Sequence, residues 1–183
     1  VAGRPAPVPE PEELARLVGE KAAGLFAAGA MLCAPAALVA LNQGLGGPLE
    51  RRQAQALASA LPEGMGGAGC TCGALAGAQM GLGLFIGGAG VRWRRLAPRA
   101  RALHDAFRAE FGSTCCRVLS KKVAHDPRLH LEHCLGLTGY AARRAAALAL
   151  EARPEMAARA DAAWLSRPES RVACALRRLA GVA

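Results

Sequence analysis

Seven cysteines carry the distinctive chemistry of this 183-residue chain: Cys33, Cys70, Cys72, Cys115, Cys116, Cys134 and Cys174. An odd number cannot be fully paired within one chain, so a complete internal disulfide framework is excluded. A chain of this length also builds a core without covalent staples, and its cysteines are not crowded into short loops. Reduced thiols or metal-bound thiolates fit the pattern. Three cysteines share a local setting: Cys33 follows a break at Gly29, Cys72 follows the glycine-rich run 64–69, and Cys116 follows Gly112-Ser113-Thr114. Each falls in or near the first turn of an expected helix, where free amides and the helix dipole are expected to lower a thiol pKa. A thiolate is both the nucleophile of disulfide exchange and a ligand for soft metals.

The elements that must position these residues read as helices. Ala, Leu and Arg are abundant while β-branched residues are scarce, which favours an all-α fold, a multi-helix bundle with Gly-rich loops. Four prolines in residues 1–11 predict an extended lead-in. Glu10, Glu12 and Glu13 then mark a helix start, with Leu14, Leu17, Val18, Leu25 and Phe26 on one apolar face. Further helices are expected near 30–43, 48–61, 72–86 and 96–111, and in a short segment opening at Cys115-Cys116 with Ser113 or Thr114 as its cap. A long helix follows the His125-Asp126-Pro127 turn, carries Cys134 and runs to about Arg153. One domain over 12–153 and a helical extension over 154–183 are the expected organisation. Gly73, Gly77 and Gly81 lie four apart, a small-residue stripe that permits close approach of a second helix.

Net charge is +9, and it is uneven. Residues 1–91 carry five basic and six acidic side chains, whereas 92–183 carry eighteen and eight. The basic residues are spread along helices, and only 4% of all residues are aromatic, so nucleic-acid binding is not expected. Residues 22–41 hold no charged side chain and are long enough to span a bilayer, but Gly24, Gly29 and Pro35 interrupt them. Burial as parts of two helices is the expectation, not membrane insertion. Reduced thiols suit the cytoplasm; because the chain opens at Val1, a periplasmic location after loss of a leading segment stays open.

The order of the cysteine segments resembles the C_GCAxxG_C_C family of redox-active proteins. The segments are Leu32-Cys33-Ala34, Gly69-Cys70-Thr71-Cys72-Gly73-Ala74-Leu75-Ala76-Gly77, Phe111-Gly112-Ser113-Thr114-Cys115-Cys116-Arg117 and His133-Cys134. The resemblance spans about 12–152, and the family is in turn similar to the non-haem domain of split-Soret cytochromes. No Cys-x-x-Cys-His site exists here, so covalent c-type haem is not expected. The resemblance implies that Cys33, Cys72, Cys116 and Cys134 are the working cysteines. Cys72 is assigned because Gly-Ala-x-x-Gly follows it, and Cys116 because Arg117 does. Cys70 and Cys115 are departures that could substitute for their neighbours in a metal site. Gly69, Gly73, Ala74 and Gly77 are the residues expected beside the cofactor, with Gly73 and Gly77 providing close packing.

Three chemistries compete for the four cysteines: an iron–sulfur cluster, a zinc ion, or cycling between dithiol and disulfide. The gaps between them are 39, 44 and 18 residues, unlike the two-to-four-residue ligand spacing usual for zinc. Four dispersed cysteines with amide-rich glycine loops suit a cluster whose thiolates and sulfides need hydrogen-bond donors. Electron transfer with a redox partner protein is the expected role. The small-residue helix faces permit a homodimer. His130, four residues before Cys134, shares its helix face and is an additional candidate ligand. Cys174, Trp93 and Trp164 read as packing or interface residues. No catalytic triad, paired catalytic carboxylates, P-loop or dinucleotide fingerprint is present.

Overall fold

The computed structural model describes residues 9–90 and 92–179. Ten helices follow in order: α1 (Pro11–Ala27), α2 (Cys33–Gly44), α3 (Arg51–Ala58), α4 (Pro62–Met65), α5 (Gly73–Ile86), α6 (Trp93–Phe111), α7 (Cys116–Ser120), α8 (Pro127–Ala152), α9 (Ala162–Ser166) and α10 (Arg171–Leu179). Short 3₁₀ turns occupy Gly87–Ala89 and Pro154–Arg159. No strand occurs among the described residues; a single antiparallel bridge joins Thr71 and Cys115. The fold is all-α, as composition and periodicity predict. Most of the Pro-rich lead-in, residues 1–8, lies outside the described residues, as do 180–183 at the end of the extension.

Local chemistry sets the helix ends. Glu50 and Gln53 form a reciprocal capping box at the start of α3. Asp126 accepts from the N–H groups of Arg128 and Leu129, and Pro127 supplies the preset φ of a first helical residue, so the longest helix starts there. The expected hydroxyl cap of α7 is not formed. Cys115 occupies that N-cap, and the Ser113 hydroxyl accepts from the Cys115 amide at 3.0 Å, ahead of the helix.

The core is built chiefly on α1, α2, α5 and α8, with α1 lying along α8 and α2 along α5, and Leu103, Phe107, Met156 and Leu165 complete it from the flanking segments. Helix α2 is buried almost throughout, from Ala34 to Leu41. The uncharged stretch 22–41 is divided between α1 and α2 by a turn at 28–32, in which Gly29 has φ +66°. Among the described residues, no helix is long and apolar enough to cross a membrane. Small residues bring the backbones together. A Cβ on Gly77 would collide with the Ala34 carbonyl, and one on Gly19 would lie 2.7 Å from the Gly139 carbonyl oxygen. The glycine stripe of α5 thus lets α2 approach closely, and it carries the starts of both helices to one place. The rings of Phe107, Phe111 and Tyr140 hold α6 to α8, with the Phe111 and Tyr140 centroids 5.1 Å apart. Gly112, with φ +75°, then ends α6 and turns the chain toward α7.

Candidate functional site

Cys33, Cys72, Cys116 and Cys134 line one cavity of about 380 Å³. They arrive from four segments: the first residue of α2, the N-cap of α5, the first residue of α7 and the third turn of α8. Gly69, Gly73 and Ala74 also line it, and Gly73 sits where a Cβ would be 2.8 Å from the Cys33 sulfur. Gly77 lies one turn deeper, against Ala34, and serves helix packing instead of lining the cavity. Phe26, Leu32, Pro62 and Leu137 supply apolar wall; Glu63, Arg117, Ser120 and His130 supply the polar groups. His130 therefore shares the cavity with Cys134, as their spacing of four predicts.

Two backbone features bring the distant cysteine segments together. The first is a short antiparallel ladder. The Cys72 amide donates to the Thr114 carbonyl at 2.8 Å, the Cys116 amide to the Cys70 carbonyl at 2.5 Å, and the Arg117 amide to the Gly69 carbonyl at 3.1 Å. The Arg117 guanidinium adds a bond to the Ala68 carbonyl at 2.7 Å. The second is a left-handed turn. Glu63, Gly64, Met65, Gly66 and Gly67 all have positive φ, between 56° and 86°. Left-handed backbone costs a non-glycine L-residue about 1–2 kcal/mol, so Glu63 and Met65 are strained. Glycines at the other three positions make the turn affordable, and Gly64 leaves room for Cys116, whose Cβ would be 2.8 Å from a Cβ placed there. Strain of this kind concentrates at functional sites. The glycine-rich loop over 62–69 was legible in the sequence; that its Glu63 would line the cavity was not.

All seven cysteines are free thiols. The expected lowering of the thiol pKa values does not occur. Burial pushes Cys72 up to about 11, outweighing the amides of Leu75 and Ala74, which favour the thiolate. Burial likewise pushes Cys134 up to about 12, with the charges of Cys33, Cys72, Cys116 and Glu63 adding to the rise. Cys33 and Cys116 are raised by burial as well, against the Glu63 and Ala34 amides at Cys33 and the Ser120 side chain at Cys116. The helix starts do favour the thiolate, but the apolar walls disfavour charge more strongly. Cys116 also opposes the ionisation of Cys33 and Cys72, and Cys33 that of Cys72, while Cys116 itself is opposed by Cys115 and Glu63. Metal-free, the site is a set of neutral thiols; a bound cation would displace their protons.

The neighbouring cysteines are sorted by the fold. Cys70 is exposed, Cys115 donates its thiol hydrogen to the Gly69 carbonyl at 3.1 Å, and neither lines the cavity. Cys174 is buried far along the chain on α10. Among the described residues, no group of three or more His, Cys, Asp or Glu side chains is disposed to hold a metal ion.

Comparison with known families matches residues 31–148 to the family described as "Putative redox-active protein (C_GCAxxG_C_C)". The match begins just before α2 and ends within α8, so it contains every cavity cysteine and leaves out α1 and everything after α8. No match was found among curated proteins or among solved structures. With well over half of its length covered, the chain belongs to the redox-active C_GCAxxG_C_C family.

Proposed function

We propose that the protein is an electron-transfer protein in which Cys33, Cys72, Cys116 and Cys134 bind an iron–sulfur cluster. The observation that carries this reading is the convergence of cysteines 39, 44 and 18 residues apart on one cavity, while Cys70 and Cys115 stay outside it. The donor set fits the group: four thiols, apolar walls, and backbone amides at Glu63, Ala34, Ala74 and Leu75 that favour sulfur-centred negative charge. The volume exceeds what one metal ion needs. A bound cluster would accept and release single electrons. The residues of the chain would hold it, exclude water through Phe26, Leu32 and Leu137, and take up its charge through the surrounding amides. A separate redox partner protein would supply or collect the electrons, in the reducing cytoplasm that free thiols suit.

Anaerobic reconstitution with iron and sulfide tests the proposal. Broad visible absorption with stoichiometric iron and sulfide is expected, with loss in each of C33S, C72S, C116S and C134S and retention in C115S. Protein that stays colourless and takes up no iron overturns it. A thiol–disulfide role without metal is the second reading. It is favoured by the absence, among the described residues, of three side chains disposed around a single ion. Metal-free protein whose cavity thiols cycle reversibly with a dithiol reductant would establish it; colourless protein that takes up zinc would instead show a structural metal domain.

A further inference from the structure

Cys70 is the exposed member of the cysteine set around the ladder, and its position there is specific. Thr71 and Cys115 form an isolated antiparallel bridge, which sets Cys70 and Cys116 beside each other at its end. The Cys116 amide donates to the Cys70 carbonyl at 2.5 Å across this pair. Residues joined by a backbone bond across an antiparallel pair have Cα atoms about 5.5 Å apart. That lies inside the roughly 4.4–6.8 Å Cα separation at which disulfides form. The turn at Gly64 gives an independent measure. A Cβ placed on Gly64 would be 2.6 Å from the Cys70 nitrogen and 2.8 Å from the Cys116 Cβ, so both residues close on the same point. Cys116 is half-buried and lines the cavity, whereas Cys70 faces solvent. Cys115 is held by its bond to the Gly69 carbonyl.

We propose that Cys70 and Cys116 form a dithiol–disulfide pair that reacts with small disulfides of the oxidised-glutathione class, and that closing it withdraws Cys116 from the cavity set. The Cys70 thiolate attacks one sulfur of the disulfide RS–SR. A Cys70–S–S–R bond forms, the RS–SR bond breaks, and the departing thiolate takes a proton to become RSH. The Cys116 thiolate then attacks the Cys70 sulfur, which forms the Cys70–Cys116 bond and releases the second RSH. The protein loses two electrons and two protons, and RS–SR is reduced to two thiols. The proposal rests on the cluster reading only for what Cys116 does in the loaded protein.

The test uses the metal-free full chain, so iron binding and disulfide formation fail separately. Oxidised glutathione is added, remaining thiols are alkylated, and tryptic peptides are mapped. Cleavage after Arg52, Arg92, Arg108 and Arg117 places Cys70 with Cys72 on one peptide and Cys115 with Cys116 on another, so variants must resolve the pair. A link between the two peptides is expected in the parent protein and in C115S, and is lost in C70S. Persistence of the link in C70S, its loss in C115S, or no link at all overturns the pairing. C70S should take up iron and sulfide as the parent does, because Cys70 does not line the cavity. In protein reconstituted with iron and sulfide, the link should form at least tenfold more slowly; an unchanged rate overturns the withdrawal of Cys116 from the cavity.

Discussion

Cys134 shows how side-chain environment sets the chemistry of single residues here. It sits in the third turn of α8, where the helix start no longer supplies free amides, and burial pushes its thiol up to about 12. Cys72 is pushed to about 11 although amides at the start of α5 favour its thiolate. Both folded-state values exceed those of exposed thiols in the unfolded chain. The folded state therefore binds more protons above pH 8.5 or so, and its stability falls as pH rises through the window up to the folded values. Metal-free protein should lose on the order of 1–2 kcal/mol per buried thiol between pH 8 and 10.5, read by urea unfolding. C134A should flatten that dependence. A stability that stays constant or rises over this interval would contradict the burial of the thiols.

Helix contacts and one turn decide whether the cysteines meet. Gly77 of α5 lies against the Ala34 carbonyl of α2, so even a methyl group there has no space. Gly77→Leu should separate the two helices at the cavity, lower stability by about 1–3 kcal/mol and raise the alkylation rate of Cys33 and Cys72. Unchanged unfolding and unchanged thiol accessibility would remove the packing role. Gly64 joins the left-handed turn to the ladder, with φ +72° and Cys70 and Cys116 in contact range. Gly64→Ala should cost about 1–2 kcal/mol from conformation alone. It should also reduce iron and sulfide uptake, because its Cβ displaces Cys116; full uptake at parental stoichiometry would show that the turn does not fix that cysteine.

Across the whole molecule, the segment after α8 is tied to the core by a buried cation. Lys21 of α1 is 3% exposed. Its ammonium lies 2.6 Å from Glu169, donates to the Arg167 carbonyl at 2.8 Å and sits 4.4 Å from the Trp164 ring centre. Trp164 thus anchors this interaction, while Trp93 is exposed. Removing one partner of a buried pair leaves the other charge without compensation, at a cost of about 3–5 kcal/mol. Glu169→Ala should therefore destabilise the protein and speed amide exchange in α9 and α10 ahead of α2 and α5. Equal protection across all four helices, with no loss of stability, would count against this anchoring. The residues involved, α1 and the segment after α8, lie outside the family match, yet they pack on the helices that carry the site.

The all-α class, most helix positions and the identity of the cysteine motif were legible in the sequence, because they depend on local propensity, caps and spacing. Asp126-Pro127 marked the start of α8, and Gly112 the end of α6, by chemistry contained within a few residues. The sequence also placed Cys33, Cys72 and Cys116 at helix starts. It misjudged their pKa values, because the walls that desolvate them come from Phe26, Leu32 and Leu137, which local spacing does not relate to the sulfurs. The choice between Cys70 and Cys72, and between Cys115 and Cys116, was likewise tertiary. Cys70 and Cys72 lie two residues apart and Cys115 and Cys116 are adjacent, so spacing does not sort them. The docking of 69–72 against 114–117 leaves Cys72 and Cys116 lining the cavity, Cys70 exposed and Cys115 bonded to the Gly69 carbonyl. Helix propensity and dipoles act within a segment; desolvation and backbone pairing between distant residues arise only when segments meet.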